Sequence, residues 1–531
     1  MPATAAQPDR QSALARAYRL IHDIQATIPD AATELSTLVA RAELLGWGDV
    51  VRAGLFGRVV GAWFTRSGDT SAALAELIER STLDGDDVML ALGLAMRADQ
   101  GVSGDDSSTA TSRDADLARA VVLLEQAESG PLERISAHTA CGNALYTRGL
   151  FELCDEQYAA ALAVGASLPP GTVDFLLAPI MFNRAEIQVA WSSMLYQLGD
   201  SKGVSERWSS WNALRAAATS FAMADSWRVE LAALGLVLGA MTGEDTAGEA
   251  RRLLEETLST QPDEPRSAGH LRLAVALSDA RAGRPEATVG AEAAVASIQP
   301  NLYPQLHDLA LCLAAEAEAR TGAGAGLRYA RRQLSEHWAG RLASLGAMRA
   351  RVQAERLSTE RELLSKHARL DDLTGIGNRR ALEQYLAELQ RRDVARIALI
   401  LLDVDAFKEV NDGHGHLAGD AVLVGIAGAL ERSIRPCDLA VRLGGDEFAV
   451  VLADVDIDAA VDRAAAFLRL IDEEHFEDAS SGLVVTVSAG VAAGVPARMA
   501  ELRADADAAL YRAKAGGGRR VLRSRIARAV A

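Results

Sequence analysis

Two carboxylates lie at the tip of a glycine turn in Gly444-Gly445-Asp446-Glu447-Phe448, with Arg442-Leu443 before it and the apolar run Ala449-Val450-Val451-Leu452 after it. Alone, this is how a tight β-hairpin looks, because paired glycines followed by apolar residues satisfy a two-residue turn. A second acidic pair upstream changes the reading. Ile397 to Leu402 is an unbroken apolar run of strand length that ends in Asp403-Val404-Asp405. Two strands whose carboxylates meet at one sheet edge make a site for a hard cation. Oxygen donors of this kind favour Mg²⁺ held beside a phosphate-bearing substrate.

Further blocks surround these acids in a fixed order. Asp371-Asp372-Leu373-Thr374-Gly375-Ile376-Gly377-Asn378-Arg379-Arg380 comes first, and Ala406-Phe407-Lys408-Glu409-Val410-Asn411-Asp412 follows Asp405. Gly415-His416, Gly419-Asp420 and Arg435-Pro436-Cys437-Asp438 precede the glycine turn, and Thr486 to Val491 and Ala504 to Lys514 follow it. With these blocks the segment from Leu370 onward resembles the GGDEF family of diguanylate cyclases. The resemblance implies an α/β ferredoxin-like (palm) domain that condenses two GTP into cyclic di-GMP and two pyrophosphates, each 3′-hydroxyl attacking the other α-phosphate. One domain holds one GTP, so the family's chemistry implies a homodimer.

The resemblance also implies roles, position by position. Asp403 would bind Mg²⁺ (or Mn²⁺, two ions per GTP), with the main-chain carbonyl of Val404 as a neighbouring ligand. Asp446 would be metal ligand and general base, and Glu447 would help hold the second metal. Gly444 and Gly445 lack side chains, which would let the hairpin press on the nucleotide. Asp405 is read as orienting the loop. Asn411 and Asp420 would read guanine, with His416 helping to fix base or ribose, while His414 is read as exposed. Phe407 and Lys408 would open a short helix facing the β- and γ-phosphates, with Lys514 as a second phosphate lysine. One departure follows it: Ala515-Gly516-Gly517-Gly518-Arg519 puts glycine where the family has an arginine, with Arg519 one position late. Arg435 and Asp438, in a block separated from Gly444 by five residues, fall at the spacing of the family's inhibitory product site, where arginine forks onto phosphate or guanine and aspartate accepts from guanine. The alternative reading is a catalytically silent GTP or cyclic di-GMP receptor, or an interaction scaffold.

The 531 residues allow several domains, and 49% hydrophobic with 24% charged residues is ordinary globular composition. A net charge of -17 argues against nucleic acid as a partner. The arginine-rich stretch from Arg519 to Arg525 reads as a solvated final strand and helix. Cys141, Cys154, Cys312 and Cys437 are scattered without a paired spacing, which suits a reducing compartment and argues against disulfides or zinc. Residues 1–8 lack the features of a secretory signal, and the apolar runs are too short to span a bilayer. A cytoplasmic protein with no membrane partner is expected.

Multidomain organisation follows from the changes in period. Residues 1–328 read as successive helices. Gly142, Gly149, Phe151, Tyr158, Ala161 and Leu162 fall on the spacing of a tetratricopeptide repeat, with degenerate echoes near Gly199, Gly243 and Gly283. An irregular α-solenoid is expected, holding an unknown protein or small ligand and regulating the C-terminal domain. Gln100 to Asp114 is polar and reads as a loop. Residues 329–370 are dense in charge and carry Leu334, Trp338, Leu342, Leu345 and Val352 at about the 3.5-residue period of a coiled coil, then Leu363 and Leu370. They are expected to form a signalling-helix linker. In 371–531 short apolar runs alternate with helical patterns, which means an α/β domain.

Overall fold

The computed structural model describes residues 9–525, apart from 66–69, 101–106, 128–129, 219–220, 222, 224, 261–265, 320–323, 393 and 475–482. The chain forms two compact units, Met1–Arg356 and Leu357–Ala531.

The first unit is helical throughout its described residues. It begins with α1 (Arg10–Gln25), α2 (Ala31–Leu45), α3 (Gly48–Thr65), α4 (Thr70–Asp84) and α5 (Asp87–Asp99). It continues with α6 (Ser107–Gln126), α7 (Pro131–Tyr146), α8 (Phe151–Ala166), α9 (Asp174–Gln197) and α10 (Ser201–Ala218). Then come α11 (Asp225–Thr242), α12 (Ala247–Thr260), α13 (Arg266–Arg281), α14 (Glu286–Ser297) and α15 (Pro304–Ala319), before the long α16 (Gly324–His367). Neighbours pack in pairs, as α7 with α8 and α13 with α14, and odd-numbered helices also meet: α1 with α3, α5 with α7, α11 with α13.

The repeat-like residues show why one such pair forms. Gly149 takes φ +66°, which turns the chain between α7 and α8. A Cβ on Gly142 would lie 2.3 Å from the Tyr158 ring, so the missing side chain is what lets the two helices close. Phe151, Cys154, Tyr158 and Ala161 are then all buried on one face of α8.

Two sequence expectations change. Residues 107–114 are the start of α6 rather than loop, while 101–106 lie outside the described residues. The apolar seam of α16 is also divided. Leu345, Met348 and Val352 are buried in the core of the first unit, with Trp338 packed against it, whereas Leu342 is exposed. Arg341, buried on the same face, donates to the Gly149 carbonyl and pairs with Glu152. Arg356 forks onto Glu125. The stretch expected to be a separate linker is therefore, as far as Arg356, part of the helical unit. Among the described residues no helix is long and apolar enough to cross a membrane.

The second unit carries a five-stranded mixed sheet. Its elements after α16 are α17 (Arg379–Arg391), β1 (Ile397–Val404), α18 (Phe407–His414), α19 (His416–Ser433), β2 (Leu439–Gly444), β3 (Glu447–Ala453), α20 (Ile457–Glu473), β4 (Val487–Gly494), α21 (Met499–Ala515) and β5 (Val521–Arg523). The strand order is β2-β3-β1-β4-β5, antiparallel except for β4 with β5. Helices cover both faces, so β1 is buried at every position, as its unbroken apolar run requires. Ala398, Ile400 and Leu402 pack towards α19 and α20, whereas Ile397, Leu399 and Leu401 pack towards α17 and α21.

Glu186 on α9 ties stability of the helical unit to pH. Burial pushes its carboxyl up to about 7; a hydrogen bond from Tyr146 opposes the shift and the charge of Glu230 adds to it. An ordinary glutamate in the unfolded chain titrates near 4.3. The contribution of Glu186 is therefore fully present below about pH 4.3, declines as pH rises to about 7, and is constant beyond. Glu186→Gln should raise the melting temperature of this unit clearly at pH 8 and much less at pH 5. A shift of equal size at both pH values would contradict the assignment.

Candidate functional site

The acids picked out by the sequence converge where β1 leaves the sheet. Pairing sets Asp403 opposite Glu447 on β3 and opposite Ser488 on β4. Residues directly opposite in an antiparallel pair project to one face, so Asp403 and Glu447 share the α21 side. The Val404 amide donates to the Asp446 carbonyl at 3.3 Å, which brings the hairpin tip against the end of β1. From α21 the Lys514 ammonium reaches in and pairs with the Asp403 carboxylate. Burial pushes the Asp403 carboxyl up; Lys514 opposes the shift, and the charges of Asp446 and Glu447 reinforce it. Three carboxylates thus share one field with one ammonium.

This donor set fits a small hard cation only in part by itself. Among the described residues no three His, Cys, Asp or Glu side chains come close enough to cage a metal ion. Mg²⁺ keeps waters and is held by one or two carboxylates plus substrate phosphates, and Asp403 and Glu447, set opposite each other, are oxygen donors of that kind.

Asp405 does not join the group. It accepts from the Thr486 hydroxyl at 2.9 Å, the Ser488 hydroxyl at 2.7 Å and the Arg519 amide at 2.9 Å. It binds the end of β1 to β4 and to the loop after α21. The Arg519 guanidinium is turned to Asp472 at 3.3 Å, on α20.

The hairpin owes its shape to residues outside the expected set. Gly444 and Gly445 take φ +148° and +56°, conformations open to glycine. Arg442 donates twice to the Gly445 carbonyl, at 3.0 and 2.8 Å, and pairs with Asp371 at 3.0 Å. Burial works against ionisation of Asp371, yet bonds from Thr374 and Arg442 outweigh it and hold its carboxyl below the usual range. Both residues belong to the ordered sequence blocks, but pattern did not reveal that they touch.

Asn411 on α18 and Asp420 on α19 are brought together by a glycine. A Cβ on Gly419 would lie 2.1 Å from the Asn411 Oδ1 and 3.2 Å from the Phe407 ring. The two helices can meet there only because residue 419 has no side chain, and Asp420 stands exposed beside it. Lys408, His414 and His416 are exposed too.

The Arg435–Asp438 pair departs from expectation. Arg435 is exposed, but the Asp438 side chain is 2% exposed. Its carboxylate accepts from the Arg435 amide at 3.2 Å and the Ala453 amide at 3.2 Å, with Arg463 at 3.8 Å. A carboxylate so enclosed holds a turn against the sheet, and in this conformation it is not presented to a guanine.

Residues 368–520 match the family described as "Diguanylate cyclase, GGDEF domain". This segment is a GGDEF domain. Diguanylate cyclase DgcP of Pseudomonas aeruginosa is 35% identical over 199 residues, covering 35% of this chain and 29% of that protein. Cyclic di-GMP phosphodiesterase PdeB of Shewanella oneidensis is 36% identical over 165 residues, 30% of this chain and 19% of that protein. The chain thus spans less than a third of either relative. Among solved structures, the coiled coil and GGDEF domain of DgcB from Caulobacter crescentus, in complex with c-di-GMP, is 30% identical, covering 35% of this chain and 99% of that one with a TM-score of 0.31.

The role of Arg442 is open to a stability measurement. Arg442→Met leaves the Asp371 carboxylate and the Gly445 carbonyl without their donor, and bonds to charged groups contribute about 1.5–3 kcal/mol. Denaturant unfolding of the GGDEF unit should register a loss of that order. A loss below about 0.5 kcal/mol would mean that the glycines shape the turn unaided.

Proposed function

We propose that the chain is a diguanylate cyclase, condensing two GTP into cyclic di-GMP with release of two pyrophosphates. The observation that carries this reading is the convergence of Asp446 and Glu447 on Asp403, itself paired with Lys514, at the edge of a GGDEF domain whose Gly444-Gly445 turn is intact. On this reading Asp403, the Val404 carbonyl, Asp446 and Glu447 hold Mg²⁺ or Mn²⁺, which when bound neutralises phosphate charge. Asp446 also accepts the proton of the attacking 3′-hydroxyl. Asn411 and Asp420 read the guanine edge, with His416 beside them, and a site built of such donors and acceptors rejects adenine. Phe407, Lys408 and Lys514 face the phosphates, Lys514 exchanging Asp403 for substrate.

Catalysis by paired domains makes a homodimer the active form. Part of the α16 seam is used within the helical unit, and Leu357, Leu363 and Leu364, all exposed on α16 beyond that part, are the apolar residues assigned to contact with a second copy. The helical unit, read as tetratricopeptide-like, is the regulatory part, and a GTP-consuming enzyme belongs in the cytoplasm. Feedback by cyclic di-GMP is assigned to Arg435, with Asp438 shaping the turn that presents it.

Purified protein incubated with GTP and Mg²⁺ should yield cyclic di-GMP. Asp446→Ala should lower turnover at least ~10²-fold, as expected for loss of a principal electrostatic element, with the fold intact because Asp446 lies at a hairpin tip. No product from the parent, or near-normal synthesis by the variant, would sink the assignment.

The regulatory reading is tested by Arg435→Ala alone, since Asp438 has structural partners. That variant should keep its initial rate and lose inhibition by added cyclic di-GMP. Sensitivity equal to the parent's would place feedback elsewhere.

A further inference from the structure

The helical unit encloses a chamber of about 220 Å³ whose walls come from five helices: α1, α3, α5, α7 and α9. Tyr18, Phe56, Trp63 and Phe175 give it an aromatic lining, and Asp99 and Asn143 stand at one end. The same two residues also wall a second recess of about 240 Å³, which contains Tyr146, Tyr158, Asn183 and Glu186. Helix α1 meets α9 beside the chamber. The His22 and Phe175 rings pack edge-on at 5.6 Å, and the Arg19 guanidinium lies 3.9 Å from the Phe175 centroid. The space is of side-chain dimensions, too small for a docked helix 10–12 Å across.

Charge at the polar end is unbalanced. The Asp99 carboxylate accepts from the Thr147 hydroxyl at 2.9 Å, and Glu186 accepts from the Tyr146 hydroxyl at 3.2 Å. Neither forms an ion pair with an arginine or lysine among the described residues. Arg148, which acts on Asp99 through space, spends its own donors on Asp114 and on the carbonyls of Ala98 and Ala144. Arg266 acts on Glu186 only through space, against Glu230 of like charge. Burial pushes both carboxyls up and pulls the His22 ring down. Both side chains are half-buried and accept from hydroxyls alone; a carboxylate held away from water without a cationic partner is costly, and a ligand that brings a cation lowers that cost.

We propose that this chamber binds a small organic ammonium compound, its apolar or aromatic body among Phe56, Trp63 and Phe175 and its cationic head between Asp99 and Glu186. Aromatic walls favour such a body by apolar contact. An anion of the same shape is repelled. The inference does not depend on the cyclase reading, because it is tested by binding alone.

Calorimetric titration of the full chain at pH 8 with 2-phenylethylamine, 2-phenylethanol and 3-phenylpropionate separates head group from body. The amine should bind saturably at one site, the alcohol at least about tenfold more weakly, and the carboxylate not at all, since hydrogen bonds to a buried charge are worth about that factor or more. Glu186→Gln should weaken the amine about tenfold while the melting temperature holds or rises, which separates lost binding from lost folding. Trp63→Ala should weaken amine and alcohol alike. Equal binding of amine and alcohol, an unchanged amine affinity in Glu186→Gln, or no saturable amine binding would each overturn the proposal. N-acetyl-lysine amide binding as tightly as the amine would place a protein segment in the chamber and overturn the small-molecule assignment.

Discussion

The contact between Lys514 and Asp403 is the constraint around which the C-terminal unit is arranged. Asp403 ends a strand buried at every position, so its carboxylate is carried into a partly desolvated edge. Register then sets Glu447 opposite it, and the hairpin brings Asp446 close behind. Such a like-charge group is tolerable only with a cation present. In the ligand-free protein α21 supplies that cation, and the remaining pieces hold the acids in place: Arg442 and Asp371 fix the turn, and Asp405 locks β1 to β4. On the proposed function, Asp403, Asp446 and Glu447 would hold the metal, which would supply positive charge for the phosphates, and Lys514 would turn from Asp403 towards them.

The helical unit shows a second use of charge. Arg341 on α16 lies buried, bonded to Gly149 and Glu152 and ringed by Phe151, Trp191 and Trp338. With Leu345, Met348 and Val352 it makes the first part of that long helix an integral element of the unit. Any signal that rearranges the helices around Gly149 would therefore act on α16 directly, through packing rather than through a flexible tether.

Much of the site was legible because its residues announce themselves by type and spacing. The apolar run of β1 and the glycine turn gave both strands, and the ordered blocks gave the family. Pairing was not legible. Nothing in the sequence says that Asp403 lies opposite Glu447, that Arg442 reaches back to Asp371, or that Gly419 lies against Asn411, since these are facts of register and close approach. The α16 seam was visible as a period, but a period does not say which surface covers it, and here the chain's own helices do. Asp438 shows the same limit: an aspartate three residues after an arginine reads alike whether it faces a ligand or caps a buried turn. Residues 107–114 looked like loop because Ser, Thr and Asp are indifferent helix formers. The pairing of α6 with α5 overrides that preference.

The most direct test of this account is the affinity of the purified chain for Mg²⁺ by calorimetric titration, with and without a non-reacting GTP analogue. Because Lys514 already neutralises Asp403 and Mg²⁺ draws much of its ligand set from substrate phosphates, Mg²⁺ alone should bind weakly, and the analogue should strengthen that binding by an order of magnitude or more. Tight Mg²⁺ binding to the nucleotide-free chain, or binding indifferent to the analogue, would contradict it.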